Sequence, residues 1–299
     1  MEVVVTGNMI LLVKSRSQRG IVAAIAGYLA DHGCNIAESA QFDDFDTNQF
    51  FMRVSFVRET GVSEEEIVAG FVDIGSKFGM IYSFHGDLKP MKVAIMVSRF
   101  GHCLNDLLYR WRIGALPIEI TAVISNHFDY QKLVVNHDLP FHCIPVTAQN
   151  KRDAEARIMQ IVEGSDTELV VLARYMQILS DEMCARMSGR IINIHHSFLP
   201  SFKGANPYKQ AYQRGVKLIG ATAHYVTADL DEGPIIEQDT ARVTHAQSPE
   251  DYVSIGRDVE SKVLASAVHA HAHRRVFIDS NRTVVLPAGR GSFASARMG

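Results

Sequence analysis

The fold class follows from the segment Lys92-Val93-Ala94-Ile95-Met96-Val97, in which both faces of an extended chain are apolar. Segments of the same character recur at 118–124 and 169–173, with helical patterns between them at 103–112 and 153–163. Doubly buried strands that alternate with helices are typical of an open, mostly parallel sheet covered on both sides. We therefore predict a Rossmann-like α/β domain over residues 92–286, whose ligands bind at the carboxyl ends of the strands.

Residues 1–85 have a different order of elements. An apolar strand is followed by a helix that opens at Ser17-Gln18-Arg19-Gly20, then by two strands, a helix that begins at Ser63, and a last strand. The order strand-helix-strand-strand-helix-strand predicts a ferredoxin-like α+β domain. We predict a linker at residues 86–91, which contain Pro90, and a flexible tail of small and polar residues at 287–299.

One strand of this first domain, at 49–57, is apolar on both faces. One face can pack on the two helices, which leaves Phe51, Arg53, Ser55 and Val57 on the other. A sheet face of this kind is often covered by a partner. We therefore predict a homo-oligomer that assembles partly through residues 1–85.

The composition excludes several classes of protein. The chain has 299 residues, of which 47% are hydrophobic, and 30 Lys+Arg against 33 Asp+Glu give a net charge of -3, so neither a disordered chain nor a basic nucleic-acid binder is expected. No apolar run of about 18 residues is present, and the first residues lack the pattern of a signal peptide. The four cysteines form no CxxC pair, which favours reduced thiols in a cytoplasmic protein.

Two segments after predicted strands carry candidate chemistry. Asn193 and His195 are two residues apart near the end of an apolar strand, so they share a face. An amide can stabilise an oxyanion and an imidazole can move protons, but two satisfied polar groups in a turn are an equally good interpretation. A second strand leads into the acidic loop Asp229-Leu230-Asp231-Glu232-Gly233-Pro234, where a carboxylate can orient a histidine or simply face solvent.

Taken together, Asn193-Ile-His195, Ser197-x-Leu-Pro-Ser-x-Lys-Gly204, the acidic loop and Leu172-Ala-Arg-Tyr-Met-Gln-Ile-Leu179 resemble the 10-formyltetrahydrofolate-dependent formyltransferase family. The resemblance implies that Asn193, His195 and Asp231 form the catalytic group. It also implies a folate pocket formed by Arg174, Met176, Gln177, Leu179, Thr222 and His224. Gln177 stands where the family members that act on a ribonucleotide have Arg. The implied reaction needs no metal and no cofactor besides the folate substrate.

The loop after the first strand of the second domain departs from the ribonucleotide-dependent members of that family. Their Ser-Gly-x-Gly-Ser-Asn-Leu loop holds a phosphate, whereas this chain has Ser98-Arg-Phe-Gly101-His-Cys-Leu104. A backbone phosphate site depends on small residues, so Phe100 and Cys103 argue against phosphate binding. What remains resembles the hydrolytic branch of the family, in which water takes the formyl group and formate is released for purine synthesis.

In that branch the first domain resembles an ACT domain, a regulatory module that often binds amino acids. Many ACT domains have Asp before the glycine of the first loop, where this chain has Ser17-Gln18-Arg19-Gly20. The expected partners are a folate substrate and an amino-acid effector, without nucleic acid or membrane.

Two alternative functions stay open. One is formyl transfer to an amine such as a sugar nucleotide or an aminoacyl-tRNA, although a net charge of -3 does not suit a tRNA partner. The other is a catalytically inactive folate or amino-acid sensor, which the presence of Asn193, His195 and Asp231 argues against.

Several other residues are weaker candidates. His127, Lys203 and Gly204 are predicted to line the cleft, and His196 is predicted to face away from it. His269, His271 and His273 alternate with alanine on a predicted helix, where a spacing of two residues turns side chains about 200° apart. We therefore predict no metal site there.

Overall fold

The computed structural model describes residues 8–59, 61, 63–86, 89–199 and 207–288, which divide into two compact units. The first unit contains the described residues up to Pro90, together with Arg274–Phe277 and 284–288. The second contains the described residues of Met91–His273 and Ile278–Thr283. No helix in these described ranges is long and apolar enough to cross a membrane.

The first unit is a four-stranded antiparallel sheet with helices between its strands. Its elements are β1 (Asn8–Arg16), α1 (Ile21–Asp31), β2 (Cys34–Asp44), β3 (Gln49–Arg58), α2 (Glu64–Gly70), α3 (Val72–Phe78) and β4 (Ile81–Gly86). The strand order is β2-β3-β1-β4, which confirms the ferredoxin-like prediction. Ser63 begins α2 with a capping box to Glu66, as its sequence predicted, but the predicted single helix is divided into α2 and α3.

Residues of the same chain pack on the outer face of β3. Phe51 is fully buried and packs on Phe277, with ring centroids 5.5 Å apart, and Leu286 completes the cluster. Beside it, Nη2 of Arg275 lies 2.8 Å from Oε2 of Glu38. We predicted that the second domain extends to residue 286, which would include these C-terminal residues. The structure instead packs 275–277 and 284–286 into the first unit.

The second unit contains a seven-stranded sheet and a two-stranded hairpin. Its elements are β5 (Met91–Val97), α4 (His102–Arg112), β6 (Ile118–Ser125), α5 (Gln131–Val135), β7 (Phe141–Cys143), α6 (Lys151–Gly164), β8 (Leu169–Leu172), α7 (Asp181–Arg186), β9 (Ile191–His195), α8 (Pro207–Arg214), β10 (Leu218–Tyr225), β11 (Ile235–Arg242), α9 (Pro249–Ala272), β12 (Val276–Asp279) and β13 (Arg282–Val285). The hairpin strands β12 and β13 contribute residues to both units.

The strand order of the large sheet is β11-β10-β9-β8-β5-β6-β7. The five strands from β9 to β7 pair in parallel, and β10 pairs antiparallel with both β9 and β11. Residues of β5, β6 and β8 are buried on both faces, as expected for the centre of such a sheet. The sheet therefore confirms the predicted α/β architecture, and the carboxyl ends of β9, β8, β5 and β6 meet at one edge.

Candidate active site

The candidate catalytic residues lie at the carboxyl end of β9 and on the neighbouring antiparallel strand. Asn193 and His195 alternate with buried Ile192 and Ile194 along β9. Across the ladder, His224 of β10 is directly opposite Asn193. The sheet register therefore brings two histidines and an amide to one edge.

Asp231 reaches this group from the loop between β10 and β11. The loop returns tightly, since the amide of Tyr225 donates to the carbonyl of Pro234 at 2.9 Å. A Cβ on Gly233 would lie 1.7 Å from the carbonyl oxygen of Tyr225, so this close approach requires glycine. Asp231 itself has φ 57°, a left-handed conformation that is uncommon for residues other than glycine.

A chain of polar contacts joins the four side chains. Nδ1 of His195 lies 3.2 Å from Oδ2 of Asp231, and Nε2 of His224 lies 3.7 Å from Oδ1 of the same carboxylate. Nδ1 of His224 donates to the carbonyl of Tyr225 at 2.9 Å, and its Nε2 is 3.4 Å from Nδ2 of Asn193. In the neutral ring, Nε2 of His224 accepts from Asn193; in the protonated ring it donates toward Asp231.

Asp231 is the fixed negative charge of the site. The hydrogen bond from His195, followed by the contact from His224, holds the pKa of Asp231 well below its ordinary value and outweighs the effect of burial. Because the carboxylate accepts from Nδ1 of His195, that nitrogen carries the proton and Nε2 is the free position of the ring. Nε2 of His195 is buried and has no hydrogen-bond partner within the described part of the chain.

These side chains line a cleft of about 240 Å³. Five predicted folate-pocket residues are in its walls: Arg174, Met176, Gln177, Leu179 and His224. The catalytic candidates Asn193, His195 and Asp231 line the same cleft. The structure therefore brings together three predicted catalytic residues and a largely apolar wall from the segment after β8.

Four other predicted site residues lie elsewhere or outside the described residues. Thr222 is fully buried and binds the turn after β9, accepting from the amide of Leu199 and donating to the carbonyl of Ser197. His127 follows β6 and is not among the residues that line the cleft. Lys203 and Gly204 lie outside the described residues.

Some residues of the cleft were not predicted. Val226, Thr227, Ala228 and Leu230 line it from the loop before Asp231. His196 also lines the cleft, with its ring centroid 5.2 Å from that of His195, so the prediction that it faces away was wrong. The reason is that β9 ends at His195, and the alternation of a strand does not extend to the next residue.

A buried acidic network adjoins the cleft. Glu260 of α9 has a side chain that is 1% exposed, and its Oε2 lies 2.7 Å from Nε2 of His102 and 3.4 Å from Nε of Arg174. The hydroxyl of Tyr208 donates to Oε1 at 2.5 Å. Burial acts to raise the pKa of Glu260, but the hydrogen bond from His102, the charge of Arg174 and the hydrogen bond from Tyr208 together place it below its ordinary value.

Glu260 was missed in the sequence, although a signal for it is present. It falls among the buried positions Gly256, Val259, Val263 and Leu264 of a long amphipathic helix. A single acid on the apolar stripe of a helix needs a buried partner, because an unpaired buried charge is very costly.

The described residues contain one group with metal-ligand atoms close together, formed by His102, Cys103 and Glu260 within 4.8 Å. Burial raises the pKa of the Cys103 thiol far above its usual range in the absence of an ion. The contacts of Glu260 to His102, Arg174 and Tyr208 account for its carboxylate without an ion.

The histidines at the end of α9 form two separate contacts. His271 forms a 2.6 Å hydrogen bond with the hydroxyl of Tyr225 through Nδ1. His269 and His273, which are four residues apart, have ring centroids 4.3 Å apart. The spacing of two separates neighbours as expected, but the first and third rings meet one helical turn apart.

Comparisons with known proteins show the family of the chain. The family model described as formyl transferase matches residues 91–268. A formyltetrahydrofolate deformylase from Corynebacterium sp. (strain P-1) is 48% identical over 89% of this chain and 94% of its own. The chain belongs to the formyltetrahydrofolate deformylase family. A second member, from Bacillus subtilis (strain 168), is 46% identical over 92% of each chain.

Solved structures place the chain in the same family. The formyltetrahydrofolate deformylase from Burkholderia mallei has a TM-score of 0.90 and 48% identity, and the match covers 94% of this chain and 100% of that one. Glycinamide ribonucleotide transformylase 1 from Symbiobacterium toebii has a TM-score of 0.64 and 29% identity, over 68% of this chain and 97% of its own. The match to the transformylase thus covers 68% of this chain, whereas the match to the deformylase from Burkholderia mallei covers 94%.

Proposed function

We propose that this protein hydrolyses 10-formyltetrahydrofolate to tetrahydrofolate and formate, with Asn193, His195 and Asp231 as the catalytic group. The membership of the chain in the deformylase family supports the reaction. The observation that carries the assignment of roles is the buried, unpartnered Nε2 of His195, a residue that lines the cleft and whose Nδ1 contacts Asp231.

In this mechanism, water attacks the formyl carbon and His195 takes a proton from it at Nε2. Asp231 holds the imidazole in the tautomer that leaves Nε2 free, stabilises the imidazolium and positions the water. The amide of Asn193 donates to the oxygen that becomes negative, and loss of one such donor typically costs about 3 kcal/mol in the barrier. The bond from carbon to N10 then breaks as His195 returns the proton to N10.

The pterin is proposed to bind along the wall formed by Met176, Gln177, Leu179 and His224, with apolar contacts from the segment after β8. Arg174 and Thr222 were the other members of the predicted folate pocket. Thr222 supports the turn after β9 and contributes indirectly, since its side chain is fully buried. Arg174 points its guanidinium toward Glu260, 3.4 Å away.

The decisive experiment is to incubate the purified protein with 10-formyltetrahydrofolate in the absence of any amine, and to measure formate and tetrahydrofolate. We expect one formate for each tetrahydrofolate. A protein that releases formyl groups only when an amine is added would be a transferase, and one that binds the folate without turnover would be a sensor.

We infer that the first unit is an ACT-like regulatory domain that binds an amino-acid effector. Its strand order supports this assignment. In the first loop the hydroxyl of Ser17 donates to Oδ2 of Asp43 at 2.8 Å, so an acid lies beside the position where many ACT domains have Asp. Turnover measured with each of the common amino acids tests the assignment, and an unchanged rate with all of them would contradict it.

We also propose a cytoplasmic homo-oligomer that supplies formate to purine synthesis. The four cysteines are free thiols, which supports a reducing compartment. The outer face of β3 is covered within the chain, so any subunit contact of the first unit would use other apolar side chains, such as Phe45 at 86% and Ile81 at 74% exposure. Light scattering on the intact protein and on the variants Phe45→Ser and Ile81→Ser decides this, and a monomer at micromolar concentration would contradict it.

A further inference from the structure

We propose that Arg174 and Glu260 form a buried pair that closes the space beside His195 to an amine acceptor, and so leaves water as the acceptor of the formyl group. This inference rests on the proposed function and assigns acceptor specificity to two residues outside the catalytic group.

The position of Arg174 is the first support. Arg174 follows β8, which pairs with β9 on the side away from β10, the strand that leads to Asp231. The end of β9, where His195 lies, is therefore between the acidic loop and the segment that contains Arg174. Arg174 lines the same cleft as His195. An acceptor larger than water must therefore place its substituent in the part of the cleft that the acidic loop, Arg174 and the folate wall leave free.

The backbone of Arg174 is the second support. Its φ of 66° is a left-handed conformation in which glycine is unstrained and a long side chain is rare. The side chain is nevertheless 10% exposed and turned inward. Glycine at position 174 would therefore relieve backbone strain, yet the chain has arginine there.

The surroundings of Glu260 fix that side chain. Its carboxylate accepts hydrogen bonds from His102 and Tyr208 and forms an ion pair with Arg174. A Cβ on Gly256, one turn earlier on α9, would lie 2.1 Å from the ring of Tyr208, so glycine at this position lets the tyrosine approach. A buried ion pair adds little net stability compared with apolar packing. We therefore assign a role in specificity to the pair of Arg174 and Glu260.

Phe100 lies beside the guanidinium of Arg174, although it is not among the residues that line the cleft. Its ring centroid lies 5.7 Å from the guanidinium carbon of Arg174 and 5.8 Å from that of Arg257. Both cations are within the range of cation–π attraction to an aromatic ring. Arg257 is not among the residues that line the cleft, so it provides a matched control for the loss of one cation from Phe100.

Transfer to an amine would need only a change of nucleophile. The amine nitrogen would form the bond to the formyl carbon in place of the water oxygen and lose one proton to His195. The carbon–N10 bond would break and N10 would take that proton, so the products would be a formamide and tetrahydrofolate. The catalytic group can serve both reactions, and space for the acceptor decides between them.

The test uses Arg174→Gly, Arg174→Ala and Glu260→Gln, with Arg257→Ala as the control. Each protein receives 10-formyltetrahydrofolate and increasing glycinamide, a small primary amine, and formate and N-formylglycinamide are measured by mass spectrometry. Near-ultraviolet circular dichroism and the midpoint of urea denaturation show that each variant is folded.

We expect formate alone from the wild type and Arg257→Ala. Arg174→Gly and Arg174→Ala should form N-formylglycinamide at least tenfold above that background, with a yield that rises with glycinamide. Glu260→Gln, which keeps the shape but releases the guanidinium, should give a smaller yield. If both folded Arg174 variants release formate and no formamide, the inference fails while the proposed function stands. If the wild type releases no formate, the proposed function itself fails.

Discussion

Asp231 combines strain and charge at one residue. Its left-handed backbone costs a non-glycine residue about 1 kcal/mol, yet its carboxylate contacts both His195 and His224. Strain of this kind persists only where the surrounding structure holds it, as the close return at Gly233 does here. The strained loop therefore costs some stability, and it places the carboxylate of Asp231 beside the imidazoles of both His195 and His224.

Replacement of Asp231 by Asn should lower turnover at least a hundredfold and leave folate binding little changed. The variant keeps the size of the side chain but removes the charge that orients and stabilises His195. Formate release, sampled at a series of times, gives the rate of turnover. Fluorescence titration with tetrahydrofolate gives the affinity for folate. Asp229→Asn, in the same loop, is the control and should keep near-normal turnover. Near-normal turnover of Asp231→Asn would remove Asp231 from the mechanism.

His196 should make the folded state sensitive to acid. Burial, followed by the charges of Arg174 and His195, lowers the pKa of His196 to about 4 from the 6.5 of an exposed histidine. The unfolded chain therefore binds a proton below about pH 6.5 that the folded chain takes up only near pH 4, and stability falls across this interval. The contribution is on the order of 1–3 kcal/mol.

The variant His196→Gln should therefore lose less stability than the wild type between pH 7.5 and 4.5. Urea denaturation at both pH values measures this difference, and His245→Gln, at an exposed position, is the control. Equal acid sensitivity of the wild type and His196→Gln would show that His196 is not the titrating group.

At the scale of elements, the loop between β10 and β11 positions the acid of the site. The register of β10 against β11 shifts between Ala223 and His224, and the chain then returns so closely that only glycine fits at 233. The strand β9 supplies the other half through simple alternation. The end of β9 and the tight loop between β10 and β11 therefore meet at the contact between His195 and Asp231.

Gly233→Ala should displace this loop, lower turnover at least tenfold and destabilise the protein by about 2 kcal/mol, because the added methyl group overlaps the carbonyl of Tyr225. Turnover and urea denaturation measure the two effects. Gly27→Ala in α1 is the control: nothing lies within 4 Å of its new Cβ, and it should gain about 0.5–1 kcal/mol from helix propensity. A Gly233→Ala variant with unchanged turnover would show that the loop tolerates the shift.

At the scale of the molecule, the first unit depends on residues from the far end of the chain. Phe277 and Leu286 pack on Phe51, and Arg275 binds Glu38, which also contacts Arg53 at 3.0 Å. These contacts bury the face of β3 that its sequence left uncovered. The ferredoxin-like sheet is therefore completed by a segment far along the chain, since 237 residues separate Arg275 from Glu38.

Phe277→Ala should destabilise the first unit by about 2–3 kcal/mol, since it leaves a cavity against Phe51. Hydrogen exchange should rise in β1 and β3, while the fluorescence transition of Trp111 in α4, the single tryptophan, should change little. Val72→Ala, at a 51% exposed side chain of α3, is the control and should have little effect. Unchanged exchange in β3 would mean that the C-terminal segment is not needed to cover it.

Local patterns in the sequence were sufficient for the elements and for part of the site. The doubly apolar strands predicted the parallel sheet, Ser63 predicted the start of α2, and alternation placed Asn193 and His195 on one face. These features depend on neighbours a few residues apart, whose geometry is set by the period of a helix or strand. The family resemblance then pointed to Asp231 at a distance that periodicity does not reach.

Tertiary structure alone decided which distant segments meet. It brought Asp231 within 3.2 Å of His195, turned His196 into the cleft, buried Glu260 against Arg174, and covered Phe51 with Phe277. Periodicity shows that a face will be buried but not by what, because any apolar surface satisfies the hydrophobic effect equally well. Which surface does so is set by the packing of the complete chain, and with it the placement of each charge that the catalytic and acceptor chemistry needs.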